Sequence, residues 1–359
     1  MTPTVRYLIL WLTDDCNLHC RYCYRPPTAT AQAMSTRIID QALSLAAASG
    51  KPFHVQLSGG EPTLEPELIA YTADWVRGAA LPATLGLQTN GTGIDAQLIR
   101  VIKQYRIQVG VSLDGPPAVH EALRGGFNQT YAGLRRLEDN EVEFRVTAVV
   151  SAENVGCLDR LALLLGGFSQ ARGLALDLLV NKGAAVNHAV LPATAKALQT
   201  AIAQLLRTLE MINQRRPVPL RWRELDTLRE ACQRQCPQDL CHACRGESLA
   251  VHPDGRVYPC GQTIGDPRFY AGTVEEVARE RLNLLGKPRQ PDHACDSCPL
   301  RNFCPGDCPS RRFYNGLPQS RLACHLYRAI WTYLRPKRPQ ANCLSNITEG
   351  ENQSCNPIA

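Results

Sequence analysis

Cys16, Cys20 and Cys23 stand within CNLHCRYCY, a C-x3-C-x2-C spacing on one short stretch. Three thiolates so placed can wrap three irons of a four-iron cluster and leave the fourth iron open. An open iron can bind a small molecule and pass it one electron. The same thiols could instead hold zinc with His19 as a fourth ligand, although zinc knuckles usually draw C-x2-C pairs from two places. On these residues alone both metals stay open. A second row lies downstream: Cys244-x10-Gly255-x4-Cys260, then Cys295-x2-Cys298-x5-Cys304-x3-Cys308, then Cys324. The pairs Cys241/Cys244 and Cys295/Cys298 would each suit a zinc ribbon, and a basic chain of ribbons would bind nucleic acid. The C-x5-C-x3-C run is not a typical zinc spacing and argues against that reading. Asp254-Gly255, between two strand-like runs, reads as a hairpin turn.

The elements that must position these thiols follow from the apolar pattern. Runs at 5–12, 53–57, 84–88, 107–113, 143–150 and 174–179 read as strands. Stretches at 36–48, 66–78, 95–104, 130–139 and 154–165 carry helical apolar spacing. Strands alternating with helices imply a parallel sheet with helices outside it. Six such units are fewer than the eight of a closed barrel. The expected fold class is therefore α/β, a partial (β/α)6 TIM-like barrel, with a C-terminal cysteine-rich domain. The first cysteine loop follows the first strand, and loops after strands are where ligands bind in such folds. A last barrel helix is expected at 193–213. The organisation expected is a barrel at 1–213, a linker at 214–231, a cysteine-rich domain at 232–335 and a disordered polar tail at 336–359. The third of these has little apolar periodicity. It is expected to fold around metal, closed by a helix at 322–334.

Composition bounds the function. The 359 residues are 44% hydrophobic and 20% charged, enough for a sizeable core and against disorder of the bulk. A net charge of +6 suits an acidic peptide, a nucleotide or a nucleic acid and selects none of them. The apolar run at 5–12 is only eight residues long, too short for a membrane span, and no signal cleavage site follows it. The chain reads as soluble and cytoplasmic, with no membrane partner. Disulfides are rare in that compartment, so its sixteen cysteines point to metal or redox chemistry.

The first cysteine loop resembles the signature of the radical S-adenosylmethionine (radical SAM) family, C-x3-C-x-aromatic-C, with Tyr22 at the aromatic position. Further matches follow in order. Gly59-Gly60-Glu61-Pro62 ends the second strand, similar to the family's glycine-rich motif for the methionine amino group of SAM. Thr89-Asn90-Gly91 follows the third strand. Ser112-Leu113-Asp114-Gly115, with His120 and Arg124 beyond it, is similar to the S-x-D-G-x4-H-x3-R run of peptide-modifying members. In those members the serine contacts SAM and the arginine holds its carboxylate. The residue types suit this: glycines allow backbone approach to a ligand, Glu61 can accept from an ammonium, and Arg124 offers a fork to a carboxylate. The resemblance implies a four-iron, four-sulfur (4Fe–4S) cluster on Cys16, Cys20 and Cys23. It implies SAM-binding roles for Tyr22, Gly59, Gly60, Glu61, Pro62, Asn90, Ser112, Asp114 and Arg124.

The downstream row resembles the SPASM domain of radical SAM peptide maturases, which carries two auxiliary 4Fe–4S clusters. By that resemblance Cys295, Cys298, Cys304 and Cys324 hold the second auxiliary cluster, and Cys244, Cys260 and Cys308 hold the first. The fourth ligand of the first is Cys241 or Cys236, or that iron is left open for substrate. The family resemblance implies reductive cleavage of SAM to a 5′-deoxyadenosyl radical, which abstracts hydrogen from a ribosomally made precursor peptide. The implied product is an oxidative modification of cyclophane, thioether or splicease type. A sulfatase-maturase-like reaction on a protein, or a small-molecule substrate, is the alternative. The sulfatase branch carries an aspartate directly after the G-x4-C cysteine, whereas Gly261 and Gln262 follow Cys260 here. The alternative of another class is a metal-binding protein without catalysis. Asp177, at the end of the sixth strand, is the candidate catalytic acid or base, with a hydrogen-bonded structural role as its competing reading. Cys157 is expected to be a buried apolar residue on a helix. Expected partners are the precursor peptide and a low-potential electron donor, with no nucleic acid. Only fifteen residues precede Cys16, too few for a leader-recognition domain, so a separate leader-binding protein is also expected.

Overall fold

The structure, a computed structural model, describes residues 4–26, 30–234, 240–286, 293–316 and 321–335. Its centre is a sheet in which β1 (Tyr7–Trp11), β2 (Phe53–Ser58), β3 (Ala83–Thr89), β4 (Gln108–Ser112), β5 (Phe144–Val150) and β6 (Ala171–Leu178) pair side by side in parallel. Alternate residues point to opposite faces of a strand. Val55 and Leu57, Val109 and Val111, and Val146, Ala148 and Val150 are buried in one core with the helix residues Leu43, Ile69, Ile99 and Leu134. Each Val, Leu or Ile among them contributes about 1.5–3 kcal/mol. The alternate set, including Gln56, Gln88, Ser112 and Thr147, faces a common lumen. One cavity touching residues of all six strands shows that the sheet curls.

Helices α1 (Thr36–Ala47), α2 (Pro66–Gly78), α3 (Ala96–Tyr105), α4 (Pro117–Leu123), α5 (Phe127–Asp139) and α6 (Leu158–Gly166) fall between successive strands. The Ser35 side chain accepts from the Ile38 N–H at the start of α1, and Asp95 accepts from the Leu98 N–H at 2.7 Å at the start of α3. After β6 come the short α7 (Ala184–Asn187) and the long α8 (Ala195–Asn213), which packs on α6. The expected α/β partial barrel of six units is therefore present.

Two expectations about the remainder are corrected. Residues 214–231 do not form a plain linker. They contain β7 (Arg221–Trp222), which pairs with β6, and most of α9 (Arg223–Arg234). The sequence RELDTLREACQR is dominated by charge, yet Leu225, Leu228, Ala231 and Cys232 share one buried face. The cysteine-rich segment is also not folded apart from the barrel. β8 (Ser248–Val251) adds to β1 in parallel, and β9 (Val257–Tyr258) returns antiparallel on β8. The sheet order is thus β7-β6-β5-β4-β3-β2-β1-β8-β9. Gly255 makes the hairpin turn at φ 84°, in the left-handed region that glycine enters freely. Single-turn helices α10 (Arg279–Leu282) and α11 (His293–Asp296) precede α12 (Pro309–Asn315) and α13 (Leu322–Leu334). The last packs on α8 and α9, and the Tyr333 hydroxyl donates to Glu210 at 2.9 Å. Cys157 is half-buried in a turn ahead of α6, not buried within a helix. The tail at 336–359, with Cys343 and Cys355, lies outside the described residues, as does Cys236. Among the described residues no helix is long and apolar enough to cross a membrane.

Candidate functional site

Cys16, Cys20 and Cys23 lie on the loop after β1, and segments from across the fold hydrogen-bond to that loop. From the end of β2, the Gly60 N–H donates to the Thr13 carbonyl at 2.7 Å and the Glu61 N–H to the Asp15 carbonyl at 2.8 Å. From the end of β3, Asn90 donates to Asn17 Oδ1 at 2.8 Å, while Asn17 donates to Thr92 Oγ1 at 2.8 Å. The Arg21 N–H donates to the Leu123 carbonyl on α4 at 2.9 Å. The Ala184 N–H, after β6, donates to the Cys23 carbonyl at 2.8 Å. From the C-terminal hairpin, His252 Nε2 lies 3.1 Å from Asp14 Oδ1.

The glycine pair acts through this loop. A Cβ on Gly59 would lie 2.7 Å from the Thr13 carbonyl oxygen, and one on Gly60 would collide with the Asp15 carbonyl. These glycines make room first for the cysteine loop, although both also line the cavity beside it. Gly60→Ala is expected to displace the loop, with a loss of about 1–3 kcal/mol in stability. Denaturant unfolding and the iron content of the reconstituted variant check this. Unchanged values in both would contradict it.

Glu61 is 1% exposed. Its Oε1 accepts from the Thr63 N–H at 3.1 Å, the Thr63 hydroxyl at 2.7 Å and the Thr89 hydroxyl at 2.6 Å. Its Oε2 accepts from the Asn90 N–H at 2.7 Å. Burial pushes the carboxyl above its usual range and these bonds oppose the shift. Pro62 opens the turn that carries Thr63. Glu61 is thus a brace between β2 and β3, with capacity at Oε2 for one further donor.

Asp114, after β4, is fully buried and does not line the cavity. Its Oδ2 accepts from the Tyr22 hydroxyl and its Oδ1 from the Val149 N–H at 2.9 Å. Arg124 donates to the Tyr22 oxygen at 2.6 Å and lies 3.9 Å from Asp114 Oδ2. Burial opposes the guanidinium charge, yet Tyr22, Cys20 and Asp114 hold it well above its ordinary value. Arg124 Nε is buried without a hydrogen-bond partner, and the residue lines the cavity. Tyr22 and Asp114 therefore aim Arg124. Burial and the Arg124 charge push His120 down to about 3, so its imidazole is neutral. Ser112 lines the same cavity, its Oγ accepting from Gln88 at 3.0 Å.

That cavity measures about 540 Å³. Cys16, Cys20 and Cys23 line it together with Cys241, Cys260 and Cys308, and Asp177 also reaches it. Burial pushes the Cys20 and Cys308 thiols up to about 11. Cys241 Sγ is 4.0 Å from Cys244 Sγ, and its charge also couples to Cys260 and Cys308. The second set gathers at α13. Arg328 hydrogen-bonds Cys298 and its charge reaches Cys324 and Cys295, while Cys304 lies within charge range of Tyr327. Among the described residues no three His, Cys, Asp or Glu side chains converge as a single-ion site. Lys182, after β6, donates to the Gln262 and Ile264 carbonyls at 2.7 and 2.9 Å and so ties the loop after Cys260 to the barrel. Asp177 accepts from Arg223 at 2.8 Å, and Arg223 also pairs with Glu224 at 2.6 Å. The side chain of Asp177 is 45% exposed against 6% for Glu224, so it is the more accessible of the two. Nothing in the local sequence announced Arg223 as its partner.

Three thiols on one wall and a cation with an unpartnered Nε beside them fit a 4Fe–4S cluster and the carboxylate of SAM.

His252 lies between Asp14 and Asp254, its Nδ1 2.9 Å from Asp254 Oδ1. Burial pulls its pKa down, but the Asp14 hydrogen bond and the charges of the two carboxylates outweigh this and raise it above 6.5. A raised folded-state value stabilises below the unfolded value and loses that stabilisation as pH rises through the folded one. The thermal midpoint is therefore expected to fall as pH rises above 6.5, with a shallower fall in His252→Gln. Equal slopes in the two proteins would contradict the assignment.

A profile described as the Radical SAM superfamily matches residues 12–165. The chain is 24% identical over 379 residues to the serine-type anaerobic sulfatase-maturating enzyme of Klebsiella aerogenes, spanning 92% of this chain and 86% of that protein. It is 28% identical over 331 residues to the mycofactocin maturase MftC of Mycobacterium ulcerans, spanning 86% and 84%. Its fold is similar to that of native anSMEcpe with bound AdoMet and Cp18Cys peptide, with a TM-score of 0.75, 20% identity, and coverage of 92% and 97%.

Proposed function

Residues 12–165 are a radical SAM domain and the chain is an enzyme of that superfamily, and from this premise we propose that it matures a ribosomally made peptide by oxidation at an unactivated carbon. The observation that carries this reading is one cavity lined both by Cys16, Cys20, Cys23 and Arg124 and by Cys241, Cys260 and Cys308. Similarity to a sulfatase-maturating enzyme and a mycofactocin maturase, and to a structure with a bound peptide, supports the substrate class. The 4Fe–4S cluster and SAM used by the superfamily supply hydrogen-atom abstraction.

In this reading Cys16, Cys20 and Cys23 hold the cluster. Arg124 would take the carboxylate of SAM, Glu61 would accept from its amino group, and Ser112 and Asn90 would complete the surroundings. Cys241, Cys244, Cys260 and Cys308 hold a first auxiliary cluster; Cys295, Cys298, Cys304 and Cys324 hold a second. Asp177, which accepts from Arg223 and lines the cavity, is in this reading the group that would take a proton from the peptide. Gly261 and Gln262 follow Cys260 where the sulfatase branch has aspartate, which favours a cyclophane, thioether or splicease product. A low-potential electron donor and a separate leader-binding protein are the partners of this reading. Tight leader binding by this chain alone would count against the second.

The test is anaerobic reconstitution, an iron count, and a SAM assay with dithionite. About twelve irons per chain, the content of three four-iron clusters, together with 5′-deoxyadenosine, is the expected result. Zinc without iron and no 5′-deoxyadenosine would overturn it.

A further inference from the structure

We propose that the floor of the barrel is a carboxylate-binding subsite centred on Arg145, which anchors an acidic group of the peptide while the reacting residue sits at the cysteine-lined mouth. This rests on the peptide reading above. A second cavity, of about 200 Å³, lies among β2 to β6 away from the cysteine loop. Gln56, Gln88, Thr147 and Arg223 line both cavities, so the lumen runs from mouth to floor. The side chains around the floor include Arg145, Gln108 and His54, and no described carboxylate lines it.

The two arginines at the floor differ. The charge of Arg223 is met by Asp177 and Glu224. Arg145 is exposed, and among the described residues it has neither a hydrogen bond nor an ion pair. A guanidinium with its donors free, in a pocket walled by amides and lacking an acid, selects a planar anion.

Three glycines keep this space open. A Cβ at Gly86 would lie 2.7 Å from His54 Nε2, at Gly110 2.5 Å from Gln88 Oε1, and at Gly173 3.0 Å from Arg145 Nη1. None of the three has a positive φ, so they serve for room and not for backbone freedom. Arg145 and Val149 are four residues apart on β5, and Val149 lines the mouth. At about 3.3 Å per residue that is roughly 13 Å. The acid is therefore about four extended residues from the residue that reacts. It is either an Asp or Glu side chain or the C-terminal carboxylate.

Three probes separate these sources: N-acetyl-tetraalanine with a free C-terminus, N-acetyl-Ala-Ala-Ala-Glu amide, and neutral N-acetyl-tetraalanine amide. Each is titrated calorimetrically into the reconstituted chain and into Arg145→Ala, whose unpaired, exposed position predicts an unchanged thermal midpoint. At least one acid is expected to bind more tightly than the neutral amide, and to lose roughly 10- to 100-fold in Arg145→Ala, the worth of a charge-assisted contact. The acid that shows the effect identifies the source. Equal binding of the three, no binding, or indifference to Arg145→Ala overturns the subsite. Formation of 5′-deoxyadenosine is measured in parallel: its absence overturns the radical reading and leaves the titration to decide the subsite.

Discussion

Cys20→Ala is expected to abolish 5′-deoxyadenosine formation, by at least about a thousandfold, and to lower the iron content by about four per chain. The effect is large because the cluster supplies the chemistry and no side chain in the cavity can replace it. Cys20 is a stringent choice among the three. Burial already pushes its thiol up to about 11, so without metal it stays protonated. Its neighbours Cys16 and Cys23 would then share one loop with two thiolates, too few to hold the cluster open-cornered. The companion variant is Cys304→Ala, at the α13 set. It is expected to lose a similar amount of iron while 5′-deoxyadenosine still forms. Iron analysis and chromatography of the SAM products read both variants. Equal loss of SAM cleavage in the two would show that the cysteine rows do not divide the work as argued.

The second large effect concerns folding as well as binding. Arg124→Met would leave the Asp114 carboxylate buried, with Tyr22 and the Val149 N–H but no cation. Removing one partner of a buried pair costs about 3–5 kcal/mol, because the remaining charge is uncompensated. Asp114→Asn in the same background removes that charge and is expected to restore much of the loss. SAM binding stays weak in both, since neither carries the guanidinium. Urea unfolding of the two single variants and the double variant measures the coupling directly. A loss below about 1 kcal/mol in Arg124→Met would show that the pair behaves as a surface one.

The barrel was legible because its signals are local. In β5 the run FRVTAVV alternates, with Val146 and Ala148 buried and Arg145 and Thr147 turned to the lumen. Thr36 and Ala96 begin helices just after good caps, Ser35 and Asp95. The cysteine motifs were legible for the same reason, since their spacing is short. Long-range pairings were not. Glu61 reads in sequence as an acceptor for a ligand, and only the arrival of Thr89 and Asn90 from another strand makes it a brace. The glycines beside it have their reason in the carbonyls of Thr13 and Asp15, on the loop after β1. α9 was hidden by its charged residues, whose apolar face is narrow. The seating of β8 on β1 has no local signature, because register is set by the partner strand.

That last pairing bears on how the chain is made. Tyr7 pairs with Ser248, about 240 residues later. During synthesis the free edge of β1 has no partner until β8 leaves the ribosome. At about 5–20 residues per second, the wait is roughly 12–50 s. An open parallel edge is a template for strands of neighbouring nascent chains. A truncation at Arg234 would make that exposure permanent, and such a chain should form aggregates under conditions in which the whole chain stays dispersed. Slowing elongation should raise the chaperone demand of the intact protein, because it lengthens the interval before β8 covers the edge of β1.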